Sequence, residues 1–172
     1  MTDPQSIVPE AIDELERIVA AAYRPGAGLA HVVNEPAGIR GGLADHVAAA
    51  SALLTAHELS GRLPYSMLAE ELMQSARQMH WDDAGGAFRD GTLSAERAFA
   101  INCEAARVLC RIAALHARSD YRAAAVMRLD ADYAGDATRI LGALGGSYRE
   151  RGLASVVYGL ALMARDDMAV AD

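Results

Sequence analysis

The stretch Gly85-Gly86-Ala87-Phe88-Arg89-Asp90 recurs as Gly145-Gly146-Ser147-Tyr148-Arg149-Glu150, with an aromatic and an arginine at matching places. A more worn copy, Ala27-Gly28-Leu29-Ala30-His31-Val32, stands before the first of these at nearly the same separation. A helical stretch leads into each copy, and the first two such stretches end on an aromatic, Tyr23 and Trp81. Recurrence at a near-constant spacing is the mark of stacked repeats, so it governs how every other segment is read.

The segments that follow the turns recur as well. Leu43 to Leu59 superposes on Phe99 to Leu115 with a displacement of 56, which carries Leu53 onto Leu109, Ala56 onto Ile112 and Leu59 onto Leu115. The same displacement brings Pro64-Tyr65 onto Asp120-Tyr121. Apolar residues fall at helical steps, as in Leu15, Ile18, Val19 and Ala22, and that period favours helix over strand. Six helices are predicted, over about 9–22, 43–60, 64–79, 99–117, 119–143 with a break near Gly135, and 153–165. Pro9 suits a first helical turn and Gly61 a helix stop.

Short connections between helices two and three and between four and five predict antiparallel hairpins. The other three connections are longer, carry the glycines, and should lie together at the opposite end. The predicted fold is therefore all-α: one helical-repeat domain over residues 1–172, with units of roughly 9–60, 64–117 and 119–165. At 172 residues and 52% hydrophobic composition, the chain has enough apolar material for an ordinary core.

All 16 basic residues are arginines, which removes Schiff-base chemistry and the lysine-bearing phosphate loop. A net charge of −7 argues against a nucleic-acid surface, which needs clustered cations. No apolar run approaches the ~20 residues of a membrane span, and charges interrupt any secretory core near the start. Cys103 and Cys110 lie two helical turns apart, too far to bridge, and read as small buried apolar residues of a reducing, cytoplasmic setting. The histidines, including the His57-Glu58 pair, lack zinc-ligand spacing, so no metal and no cofactor is expected.

Gly42-Leu43-Ala44-Asp45-His46-Val47-Ala48, with Leu53-Leu54 and Glu58-Leu59-Ser60-Gly61 after it, resembles the inner helix of six-hairpin α/α toroids. Tyr65, Ala69, Leu72 and Met79-His80-Trp81-Asp82-Asp83-Ala84-Gly85-Gly86-Ala87-Phe88 resemble the outer helix and glycine-aromatic ribbon of that group. Asn102, Ala105-Ala106, Val108-Leu109 and Arg111 fit the next helix. The nearest likeness is to the C-terminal helical region of the thioredoxin-domain-containing YyaL and spermatogenesis-associated protein 20 family, over roughly residues 40–165. The resemblance implies half of a ring related in shape to six-hairpin glycosidases. No Cys-x-x-Cys of the thioredoxin portion is present. A half-ring leaves apolar edges uncovered, so a homodimer is expected, closed about a twofold axis.

The same spacing also aligns His46, Asn102 and Tyr158, each near the start of an inner helix. They either face a shared concavity, where helix N-termini favour anions or hydroxyl oxygens, or cap and pack against their own loops. Asp45, adjacent to His46, is a candidate to orient its imidazole for proton transfer, or simply an N-terminal helix carboxylate. Arg89 and Arg149, with His31, Arg40 and Arg97, would form a rim for a carboxylate or sugar, or make structural ion pairs. Asp45, Asp90 and Glu104 are the carboxylates available for glycoside chemistry, and Trp81, Phe88 and Tyr148 the aromatic faces. Two functions result: a noncatalytic or degenerate toroid-type scaffold that binds a small polar or saccharide-like ligand, and a carbohydrate-active hydrolase or epimerase using Asp45 and His46.

Overall fold

The computed structural model describes residues 4–31, 40–125 and 127–170. Val32 of the worn repeat lies outside these. In chain order the elements are α1 (Pro4–Ala22), β1 (Tyr23–Arg24), β2 (Gly28–Leu29), α2 (Leu43–Ser60), α3 (Leu63–His80), β3 (Trp81–Asp82) and β4 (Ala87–Phe88). Then follow α4 (Ala95–Ala117), α5 (Ser119–Ala124), α6 (Tyr133–Leu144), a 3₁₀ helix (Tyr148–Ala154) and α7 (Ser155–Val170). Among the described residues the protein is all-α apart from two ribbons of short paired strands and an isolated bridge between Ala30 and Arg40. Two compact units divide within α3, Met1–Ser75 and Ala76–Asp172.

In the first unit α1 packs on α2. Leu43, Val47, Ala50, Leu53 and Leu54 of α2 and Leu72 of α3 are fully enclosed. Pro4 rather than Pro9 opens α1. Pro9 lies a turn further in, where its missing N–H removes one intrahelical bond. Gly61 ends α2 as expected: it adopts the left-handed conformation (φ 71°) and its N–H reaches the His57 carbonyl at 2.7 Å.

In the second unit α4 is the central helix, packed on both α6 and α7. Ala105, Ala106, Ala137 and Ala161 have no exposed surface, which lets the backbones approach closely. Val108, Ile112, Ile140 and Leu141 fill the remaining space. Cys103 and Cys110 are buried free thiols on α4.

The predicted fifth helix is two helices. The break falls between Ala124 and Tyr133, not at Gly135, and Gly135 belongs to the cap that restarts the helix. Its N–H donates to Asp132 Oδ1 at 2.8 Å, and a Cβ on Gly135 would collide with that carboxylate. The absent side chain therefore allows an aspartate N-cap.

The third copy of the glycine turn also differs. The first two are antiparallel ribbons, pairing Tyr23 with Leu29 and Trp81 with Phe88. The third is a 3₁₀ helix broken by Gly152. In the second copy the Asp82 carbonyl accepts from Gly86 N–H at 2.8 Å, and its side chain accepts from Ala84 N–H. The matching place in the third copy is Gly142, with no side chain to shape the turn, and α6 continues through that position to Leu144. The ribbon loops also differ in length: Pro25-Gly26-Ala27 separates β1 from β2, and the longer Asp83-Ala84-Gly85-Gly86 separates β3 from β4. Leu29 therefore corresponds in space to Phe88, one place off the spacing that best aligns the glycines.

Candidate functional site: the polar rung and its surroundings

Each aligned polar residue meets a backbone group of its own unit. His46, with no exposed surface, lies near the start of α2. Its Nε2 accepts from Leu29 N–H at 3.3 Å and its Nδ1 donates to the Gly42 carbonyl at 2.9 Å, which requires the neutral Nδ1–H tautomer. Gly28, beside Leu29, has φ 77°, and a Cβ there would stand 2.5 Å from His46 Nε2. Only glycine combines that left-handed backbone with that approach.

Asn102 makes the corresponding clamp in the second unit. Its Oδ1 accepts from Phe88 N–H at 2.9 Å, while Nδ2 donates to the Phe88 carbonyl and the Ala98 carbonyl, both at 3.0 Å. One amide thus serves both polar groups of a strand residue. Tyr158, 7% exposed, donates instead to the Leu141 carbonyl at 3.0 Å near the end of α6. It stacks on Tyr148 at 4.9 Å between centroids and lies 6.2 Å from Phe99.

Asp45 bonds elsewhere than to its sequence neighbour His46. Its Oδ2 accepts from Gly42 N–H at 2.8 Å, capping α2, and contacts His31 Nδ1 at 2.8 Å. The carboxylate–imidazole pair of this region is therefore Asp45–His31, with the histidine side chain 58% exposed. Sequence spacing set His31 on the rim without a reason to pair it with Asp45, because the two are well separated along the chain and meet only when the ribbon folds back on α2.

The rim arginines have separate partners. Arg89 crosses its ribbon to Asp82 at 2.6 Å, and Arg149 lies over the Tyr148 ring with its Nε 3.1 Å from the hydroxyl. Hydrogen bonding to that hydroxyl favours the charged guanidinium and raises the Arg149 pKa. Trp81 packs edge-on against buried Phe88 at 5.1 Å, carries the Arg77 guanidinium over its face, and donates from its indole N–H to Asp83. Asp90 accepts from Thr92, and Glu104 pairs with Arg107 at 2.7 Å. Burial raises the thiol pKa values of Cys103 and Cys110 to about 11, leaving them poor nucleophiles at neutral pH.

A cavity of about 250 Å³ opens elsewhere in the second unit, between the C-terminal turns of α4 and the start of α6. His116, Arg122, Asp132, Tyr133 and Met168 line it, and the His116 ring meets Tyr133 edge-on at 5.2 Å. None of the residues singled out from the sequence as site candidates borders it. The signal that could have located it is Asp132-x-x-Gly135, a helix-start pattern that divides the predicted long helix.

Among the described residues no group of three or more His, Cys, Asp or Glu gathers as metal ligands. No described helix is long and apolar enough to cross a membrane. A scan of protein-family models, a search of curated proteins and a search of solved structures each return no match.

Proposed function

We propose that this chain is a noncatalytic helical-repeat scaffold of the half-toroid kind, working as a homodimer and holding a small polar or saccharide-like ligand at the glycine-turn end. The observation that carries this reading is the occupation of the polar rung. His46, Asn102 and Tyr158 are buried, and each is hydrogen-bonded to backbone of its own unit. Side chains so engaged hold turns in place, and a ligand would have to break those bonds to reach them. The polar groups left for a ligand are exposed ones such as His31.

A test on the purified chain is calorimetric titration with neutral and acidic sugars, beside a screen for glycoside hydrolysis and epimerisation. The scaffold reading expects binding without turnover, and turnover abolished by a rung substitution that leaves the fold intact would overturn it. Light scattering is expected to give twice the 18.2 kDa chain mass.

A second reading, a carbohydrate-active enzyme, is favoured by one contact. Asp45 holds His31 through Nδ1, the arrangement that directs the other ring nitrogen of a general base outward. Under that reading His31, in place of His46, is the proton-transfer partner of Asp45. Loss of turnover in both His31→Ala and Asp45→Asn, with His46→Gln still active, would establish it.

A further inference from the structure

The cavity of about 250 Å³ in the second unit lies where the chain departs from its own repeat. The stretch from Leu63 is one continuous helix, α3, whereas the stretch from Ser119 is parted into α5 and α6, and the cavity opens at that parting. Arg122 of α5 and Asp132, the N-cap residue of α6, both line it. The arginines before and after Arg122 in the chain, Arg118 and Arg128, each bond the aspartate two places on, Asp120 and Asp130. Arg122 has Ala124 at that place, and among the described residues its guanidinium has no ion pair or hydrogen bond.

Asp132 commits Oδ1 to the Gly135 N–H at 2.8 Å, and among the described residues no ion pair engages its carboxylate. The two opposite charges thus line one cavity without meeting, farther apart than the ~4 Å of an ion pair. Both residues are exposed, so water can solvate each charge. The rest of the wall is mostly apolar: Leu129, Met168 and four alanines line it beside Tyr133. His116 is set between two buried tyrosines, edge-on to Tyr133 at 5.2 Å and tilted against Tyr121 at 6.0 Å, which fixes that part of the wall.

From these features we infer that the cavity binds a small zwitterion of the amino-acid kind, with its carboxylate on Arg122, its ammonium on Asp132 and its apolar side chain against Leu129 and Met168. A guanidinium meets a carboxylate through two parallel N–H bonds, and Asp132 Oδ2 accepts from the ammonium while Oδ1 stays on Gly135. Asp132 repels a simple anion and Arg122 a simple cation, so the two together select a molecule that carries both charges. The volume lies just below the ~300–1,000 Å³ of drug-sized sites, which keeps the occupant small. Helix α4 runs from the region of the Ala87–Phe88 strand to this cavity, a length of ~35 Å. The site is therefore separate from the glycine-turn end and does not rest on the reading proposed for it.

Calorimetric titration of the full chain with leucine tests this, beside 4-methylpentanoate, which lacks the ammonium, and 3-methylbutylamine, which lacks the carboxylate. Leucine is expected to bind saturably at one site, and each analogue about 10- to 100-fold more weakly through loss of one charge-assisted bond. Arg122→Gln should weaken leucine by a similar factor without weakening 3-methylbutylamine. Asp132→Asn, which keeps an N-cap, should weaken leucine without weakening 4-methylpentanoate. Circular dichroism checks that each variant folds, and the analogue series on the wild type decides the matter where one does not. Three results would each overturn the assignment: no saturable binding of leucine, 4-methylpentanoate as tight as leucine, or leucine binding indifferent to both substitutions.

Discussion

The ribbons of the two compact units solve one problem with different side chains. Paired strands this short do not hold themselves together in water. In the first unit His46 accepts from the Leu29 N–H, and in the second Asn102 both accepts from and donates to Phe88. The imidazole takes one bond from the ribbon and crowds Gly28; the amide takes two and leaves its glycine turn free. What the two ribbons share is a polar clamp near the start of the long helix that follows, while loop length and turn chemistry vary around it.

Of the two ribbon glycines, the first should therefore be the costlier to replace. Gly28→Ala combines an unfavourable φ with a collision on His46, and a loss of about 3 kcal/mol is expected on denaturant unfolding. Gly86→Ala shares the positive φ but would meet only Arg139 at 3.7 Å, so about 1 kcal/mol is expected. Equal losses at the two glycines would show that His46 does not crowd its ribbon.

Asn102→Ala leaves both polar groups of the buried Phe88 unpaired and should cost about 2–4 kcal/mol. His46→Ala strands only the Leu29 N–H of its ribbon and should cost somewhat less. Tyr158→Phe, which removes one bond to the Leu141 carbonyl and keeps the ring stack, should cost about 1 kcal/mol.

Alkali separates the units more gently. In the second, Cys103 and Cys110 ionise at about 11 when folded, against an ordinary 9. The stability they contribute is complete below pH 9 and is lost as pH rises from 9 to 11. In the first, Tyr23 is raised from 10 to about 12 by burial and its bond to Glu71, so its contribution persists to pH 10 and is lost by 12. Stability measured against pH should begin to fall near 9 in the wild type and near 10 in a C103A/C110A chain. An unchanged onset would show that the thiols are not the first groups to titrate.

Much of the fold was legible because its signals are local and periodic. The helical steps of Leu15, Ile18, Val19 and Ala22 and the stop at Gly61 require only one turn of chain to interpret. The break after Ala124 is not legible in the sequence because Gly135 looks like a helix breaker in isolation, and only the Asp132 side chain folded onto its N–H shows that it serves a helix start. The third glycine turn reads as equivalent to the others because its letters match. Its shape depends on position 142, where a glycine stands in place of Asp82. At the candidate site, the rung was visible as a spacing, but its bonding partners were not. Which of the two readings of Asn102 holds depends on where a strand distant in the chain comes to rest.

The Asn102 amide also closes a boundary. By matching the N–H and the carbonyl of Phe88 together, it behaves as the neighbouring strand would, although it belongs to a helix. A sheet margin covered in this way offers no template to an extended peptide or to another molecule's β-segment, so a helical protein can carry a fragment of β-structure without inviting cross-β growth.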